Sequence, residues 1–379
     1  LLLVIRELSR AKGRFFLLGG SVGLLVFLIL FQQALLGGLI TQFIGAIRNQ
    51  SATVLVYGAD ARKNLEGSRV DTAAIDAVPK VDGVADAGPL GQGTFTVRVT
   101  AKGKQAAGEQ ADATLIGYRL GGPGQPTSLV RGRLAKSDFE AVVSDGDAEA
   151  GFALGSKVAV EPNGRAITIV GVAQDARYSV TPTLFVSYST YEAARVTANP
   201  DAGVITPSAV AVTVAQGANV ETVASRITKS VPGTEALSRE TAVSSSPGVS
   251  SVQQSFFVIL GLFYIVVPLV AGLFFLIITF QKADSLTLLR ALGAKPAMLV
   301  RNLVIQVVIV VLGGVVLATA LLAGAAQGTK NIGVKVDPAA IGVTAAVVLV
   351  LALLSSLAAI RRVLAIDPVR AVTGGDVMS

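Results

Sequence analysis

Four stretches of this chain carry no charged side chain, and each is long enough for a helix to cross a bilayer. A crossing takes about 20 residues. The stretches fall at 15–47, 254–280, 298–323 (past Arg301) and 338–360. The first is longer than a crossing needs. It is also too long for the apolar core of a signal peptide and lacks a small-residue cleavage site, so it reads as a retained span. Composition agrees, since 52% of the residues are hydrophobic, mean hydropathy is +0.64 and only 15% are charged. An ordinary soluble domain carries about 25% charged residues. Between the first two blocks, however, lies a long segment of ordinary polar composition. The expectation is an integral membrane α-helical protein with four transmembrane helices and a large extracytoplasmic domain between the first and second.

Charge sets the orientation. Arg6, Arg10, Lys12 and Arg14 precede the first span beside Glu7; Lys282, Arg290, Lys295 and Arg301 lie between spans two and three beside Asp284; Arg361, Arg362 and Arg370 follow the fourth beside Asp367 and Asp376. These segments hold the entire formal charge of +7, and the remainder of the chain is balanced. The positive-inside rule makes their side cytoplasmic, with both termini inside. A pI near 9.7 therefore says nothing of nucleic acid, because the basic residues flank membrane spans. The cellular expectation is the bacterial cytoplasmic (inner) membrane.

The outside segment, 48–253, carries short β-branched runs separated by Gly, Pro and Asp turns. Strands are expected at 52–57, 94–99, 113–118, 157–160, 166–172, 184–186 and 209–214. Helical spacing of apolar residues appears at 72–78, 138–144 and 220–230. The mixture predicts an α+β domain of roughly 200 residues, enough for a core of its own. The Ser-rich run 241–251 reads as a flexible lead into the second span.

On the inner side, 1–14 has two readings: a basic amphipathic helix lying at the interface, or a solvated, positively charged flank. The connection 281–297 is more telling. Leu286, Leu288, Leu289 and Leu292 give a short helix an apolar face, Arg290 lies among them, and Gly293 supplies a C-terminal cap. A plain loop between spans has no need of such a face, so it predicts a partner surface. A short outer loop (324–337) and an inner tail (361–379) complete the layout.

Chemistry is sparse. Cysteine, histidine and tryptophan are all absent, which removes disulfides, Cys/His metal sites and imidazole bases. No catalytic or metal-binding residue is assigned and no resident cofactor is expected. A GxxxxGK[ST] phosphate loop is missing from these residues, and no charged group sits inside a span, as ion-coupled carriers usually require. Among the polar residues within the spans, Gln32, Gln33, Gln42, Tyr264 and Gln306 are singled out. Two readings stand for them: contacts between helices, or a substrate groove formed by Gln32, Gln33 and Tyr264 with Phe256, Phe257 and Phe263.

The layout and three local motifs resemble the FtsX/MacB-type permeases of ABC transporters over the full chain. DSLTLLRALGAK (284–295) is similar to the family's cytoplasmic helix, RRVLAIDPVRAV (361–372) to its C-terminal ending, and 132–175 to its periplasmic core pattern. Asp284, Ser285 and Gln306 depart from the usual residues. The resemblance implies a permease homodimer in membrane lipid, with two copies of an ABC ATPase subunit docked on 284–295 and using ATP and Mg. The chain itself would then be no enzyme. Mechanotransmission would drive export of a lipophilic or amphipathic substrate such as haem, a drug, a peptide or a lipid-linked compound. The alternative is a non-exporting regulator that transmits ATPase motion to a cell-wall hydrolase outside.

Overall fold

The computed structural model describes residues 12–100, 110–281, 288, 295–328, 338–357 and 360–361. Most of the amphipathic segment 1–14, Leu286, Leu289, Arg290, Leu292 and Gly293 of the cytoplasmic connection, residues 329–337 of the outer loop and the tail beyond Arg361 lie outside the described residues. The chain forms two compact units, Leu39–Gln253 and the pair of segments Leu1–Gly38 and Gln254–Ser379.

The first long helix, α1 (Lys12–Arg48), leads into β1 (Val54–Gly58), α2 (Thr72–Ala77), β2 (Val84–Val99) and β3 (Gln110–Tyr118). Next come β4 (Leu129–Gly132), β5 (Glu140–Ser144), β6 (Lys157–Val160), β7 (Ile167–Ala173), β8 (Thr183–Ser187) and α3 (Tyr188–Ala198). The domain closes with β9 (Ala209–Val214), α4 (Val220–Ser230), β10 (Thr234–Ser238) and α5 (Arg239–Ser245). Three further long helices follow: α6 (Val249–Gln281), α7 (Pro296–Gly328) and α8 (Pro338–Ser355).

The strands join in one mixed sheet, ordered β10-β1-β9-β2-β3-β8-β5-β7-β4, with β6 bridging β2 and β7. The first four strands, with α2 and α4, form a split βαββαβ unit in which each neighbour is antiparallel. Everything from β3 to α3 is inserted between β2 and β9. The parallel pairs β3–β8 and β5–β7 belong to this inserted part.

Side-chain alternation along the strands divides the apolar residues among three cores. In β1, Val54 and Val56 face the core under α2 and α4, whereas Leu55 and Tyr57 face the opposite one. In β9, Val210 and Val212 join the first and Ala209 and Ala211 the second. Farther along the sheet, Leu115, Val143 and Leu184 face a third core with α3, while Ile116, Val142 and Phe185 point to the second. The second core thus runs along one whole face and takes in Ala46 and Ile47 from the last turns of α1. It also encloses the hydroxyls of Tyr57 and Tyr118, buried without a hydrogen-bond partner. Burial pushes both phenols up, Tyr118 to about 12.

Two expectations are corrected. Residues 138–144 form no helix; 140–144 are strand β5, buried on both faces between β7 and β8. The Ser-rich lead is largely helical, because Ser238 caps α5 by accepting from the Thr241 N–H (3.3 Å) and α6 already begins at Val249.

Among the described residues, four helices are long and apolar enough to cross a membrane: Gly19–Arg48, Val249–Gln281, Ala297–Ala326 and Pro338–Ser355. Their common core uses residues three to four apart. Val22, Val26 and Ile29 of α1 meet Val267, Ala271 and Phe275 of α6, the long row from Leu299 to Leu322 of α7, and Val348 and Ala352 of α8. Small residues set the closest approaches. A Cβ on Gly23 would lie 3.2 Å from the Cα of Gly314 in α7, and one on Gly272 would lie 2.9 Å from the Cβ of Ser355 in α8.

Candidate functional site

Within the helical unit, three polar side chains from three helices meet. The Gln33 amide donates to the Tyr264 hydroxyl at 3.2 Å, and the Thr344 hydroxyl donates to Gln33 Oε1 at 3.2 Å. Thr344 has then used its one proton, so the remaining 3.5 Å contact between the hydroxyls of Tyr264 and Thr344 is donated by the tyrosine. The ring closes with each group donating once and accepting once. In an apolar surrounding such a bond contributes about 0.6 kcal/mol, and at most about 1.7. Thr344 is buried and is the member that sequence reasoning missed. Its signal was weak, a small hydroxyl in an apolar span.

Beside the ring, the Gln32 amide donates to the Phe256 carbonyl at 3.1 Å. Phe263 packs against the helical core. Phe257, by contrast, is 64% exposed and does not join the cluster. Of the six residues expected to line a groove, the structure therefore brings Gln32 to Phe256 and Gln33 to Tyr264, and turns Phe257 away. Leu288 is exposed.

The second feature lies inside the Leu39–Gln253 unit, where a loop grips the end of α1. Ser179 and Val180 donate backbone N–H groups to the carbonyls of Phe43 (2.9 Å) and Gln42 (3.0 Å), and Ala46 donates to Arg177 O (2.8 Å). The Asn49 amide adds a bond to Asp175 O at 2.7 Å. Only glycine fits at position 45, since a Cβ there would stand 2.2 Å from Asp175 O. Asp175, Ser179 and Val180 all have positive φ (54°, 53° and 64°). For residues with a Cβ this is an unfavourable region that the surroundings must hold in place.

The loop is anchored from below by Asp147. Its carboxylate, fully buried, pairs with the Arg177 guanidinium and accepts the Thr183 N–H at 3.0 Å. Arg177 also donates to Gly146 O at 2.7 Å. Burial nonetheless outweighs these partners and pushes the Asp147 carboxyl up to about 6. Asp145 adds a smaller push in the same direction. None of this was visible from sequence, because Gly45 and Asp175 are far apart in the chain and each is ordinary in its own segment.

Neither feature holds a nucleophile–base pair, and among the described residues no group of three or more acidic side chains is placed to hold a metal. The arrangement is suited to joining helices and fixing the end of one of them.

Two family descriptions cover most of the chain: a MacB-like periplasmic core domain at 17–230 and an FtsX-like permease C-terminal region at 257–368. Among solved structures, similarity is found to the extracellular domain of the noncanonic ABC-type transporter YknZ from Gram-positive bacteria. That match has 15% identity and a TM-score of 0.34, and covers 49% of this chain and 100% of the other. The periplasmic region of MacB from Actinobacillus actinomycetemcomitans matches at 16% identity with a TM-score of 0.37, over 53% of this chain and 94% of the other.

Proposed function

This chain belongs to the FtsX/MacB-type ABC transporter permeases, and from that premise we propose that it is the membrane subunit of an ATP-driven exporter working by mechanotransmission. Membership implies partnership with an ABC ATPase. In the proposed assembly two permease copies pair in the cytoplasmic membrane with both termini inside, and two ATPase subunits dock on 284–295 from the cytosol. ATP and Mg act in those subunits. The substrate is a lipophilic or amphipathic molecule taken from the outer leaflet or the outside space; haem, drugs, peptides and lipid-linked compounds fit this class.

The observation that carries the export reading is the MacB-like description across 17–230, continued by a permease region. A regulator of a cell-wall hydrolase would share the helices, but the large outer domain favours export. The closed ring of Gln33, Tyr264 and Thr344 supports a packing role for those residues over direct substrate contact.

The test is ATPase activity of the reconstituted permease–ATPase complex across a panel of lipophilic ligands. Stimulation by at least one is expected. No stimulation, together with co-purification of a cell-wall hydrolase, would replace the exporter with the regulator. Docking is tested separately with Leu289→Asp, which should release the ATPase while leaving the outer domain folded. Retained co-purification would refute the docking assignment.

A further inference from the structure

The loop that grips α1 enters the hydrogen-bond ladder of the helix itself. In an uninterrupted α-helix each N–H donates to the carbonyl four residues earlier, which pairs Ala46 with Gln42. Here the Ala46 N–H donates to Arg177 O at 2.8 Å, and Gln42 O accepts the Val180 N–H at 3.0 Å. Both members of one helical pair thus bond to the same loop. The next carbonyl, that of Phe43, accepts the Ser179 N–H at 2.9 Å. Insertion into the ladder is one of the few causes of a sharp bend in a helix.

The sequence around the insertion suits a joint. Gly37, Gly38 and Gly45 all fall within this stretch of α1, and glycine is the weakest helix former after proline. The boundary between the two compact units also falls inside α1, after Gly38.

The loop is held and strained at once. Asp147 pairs with Arg177, Asp145 accepts the Asp175 N–H at 3.0 Å, and the Ser179 hydroxyl donates to Glu66 at 2.9 Å. Against these stand the left-handed backbones of Asp175, Ser179 and Val180, which relax once the loop lifts off. Lifting off costs the helix little, because the Ala46 N–H and Gln42 O are spaced to bond to each other. Val180 is 44% exposed, so water is at hand for the groups the loop gives up. Two arrangements that satisfy the same backbone groups in different ways are what a bistable element requires.

We propose that 177–180 is a releasable clasp and that Gln42–Ala46 is a hinge working by bond exchange. With the clasp closed, Ala46 and Gln42 bond to the loop; with it open, they bond to each other. The inference rests on the mechanotransmission reading, within which it names the joint where α1 engages the outer domain.

The experiment follows amide hydrogen exchange, resolved to single residues, in the full-length permease with its ATPase in lipid nanodiscs. One sample carries ADP, and the other carries ATP held by a hydrolysis-deficient ATPase. Exchange at Ser179 and Val180 should differ about tenfold between the two. The Ala46 amide should stay protected in both, since one acceptor replaces the other. Gly45→Ala, whose methyl would stand 2.2 Å from Asp175 O, should hold the clasp open, with fast exchange at 179 and 180 and Ala46 still protected. Val180→Gly removes one left-handed penalty and should slow exchange at Ser179 about fivefold; it decides the matter if the first variant does not fold. Loss of protection at Ala46 together with Ser179 and Val180 would mean local unfolding and overturn the proposal. Exchange unmoved by nucleotide, in a complex whose ATPase responds to ligand, would also overturn it while leaving the exporter reading intact. If the ATPase shows no ligand response, the exporter reading fails, and the two variants measured on the permease alone decide the clasp: unchanged exchange in both refutes it.

Discussion

Neutralising Asp147 with Asp147→Asn should flatten the pH dependence of the outer domain. The carboxyl has an ordinary value of 3.8 and is raised to about 6 in the folded protein. A raised acid binds its proton more tightly when folded, so the native state gains stability as pH falls through 6 towards 3.8 and loses it as pH rises. With those two values, lowering the pH from 7 to 5 stabilises the fold by about 1.3 kcal/mol. For a domain of this size that is about 3–5 °C in Tm. Glu140 works in the opposite sense, because the Arg133 guanidinium holds its carboxyl down at about 2. Its contribution is present above its ordinary value of 4.5 and is lost as pH falls below that, so Glu140 drops out of the window from 5 to 7. Glu192, raised by burial, adds a slope of the same sign, which the substitution leaves in place. The assay is calorimetry or circular dichroism on the purified protein at pH 5, 6 and 7. A wild-type protein more stable at pH 7 than at pH 5, or an Asp147→Asn variant with the full wild-type slope, would refute the reasoning.

Gly45→Ala should open the grip on α1, since even a methyl group collides with the Asp175 carbonyl. The expected cost is about 2 kcal/mol or more, read as a lower melting temperature and faster proteolysis within 175–181. Thr344→Val should remove two edges of the polar ring at a cost of about 0.6–1.7 kcal/mol for each edge; a double-mutant cycle with Gln33→Leu in detergent unfolding should show coupling, and strict additivity would sink the ring. Tyr264→Ala should weaken bundle stability in the same assay while leaving ligand-stimulated ATPase activity in the complex. Loss of that stimulation with stability intact would restore the substrate-groove reading.

The spans were legible because water-facing segments rarely run so far without a charge, whereas a charge in hydrocarbon is costly enough to be kept out. Strands were legible where β-branched residues cluster, as in AVAVTV of β9. They were not legible where burial on both faces erased the alternation. At β5 and the residue before it, the apolar positions Phe139, Val142 and Val143 fit a helical spacing, and only the neighbours β7 and β8 decide otherwise. Short strands such as β4 and β10 carry too few apolar residues to stand out. The run 241–251 read as a flexible lead because serine serves turns and helix caps equally well. Gln33 and Tyr264 could be picked out as polar residues in apolar runs, whereas their closure with Thr344 depends on the side-by-side packing of three helices. The grip on α1 was beyond reach, since it rests on backbone groups that every residue shares.

The chain passes into β1 at Val54 and leaves β10 at Ser238, and those two residues are register partners on neighbouring antiparallel strands. Tension applied to the two ends of the outer domain would therefore peel the sheet from this edge rung by rung, the weakest direction in which to load a ladder. The first rungs to carry the strain are the Arg239 N–H on the Thr53 carbonyl (2.9 Å) and the Arg239 guanidinium on the Gln50 carbonyl (2.7 Å). On the α1 side such a pull would first meet the loop bonded to Gln42, Phe43 and Ala46, before it reached the sheet. A domain tethered at both ends in this way would be loaded at its fastenings before its fold.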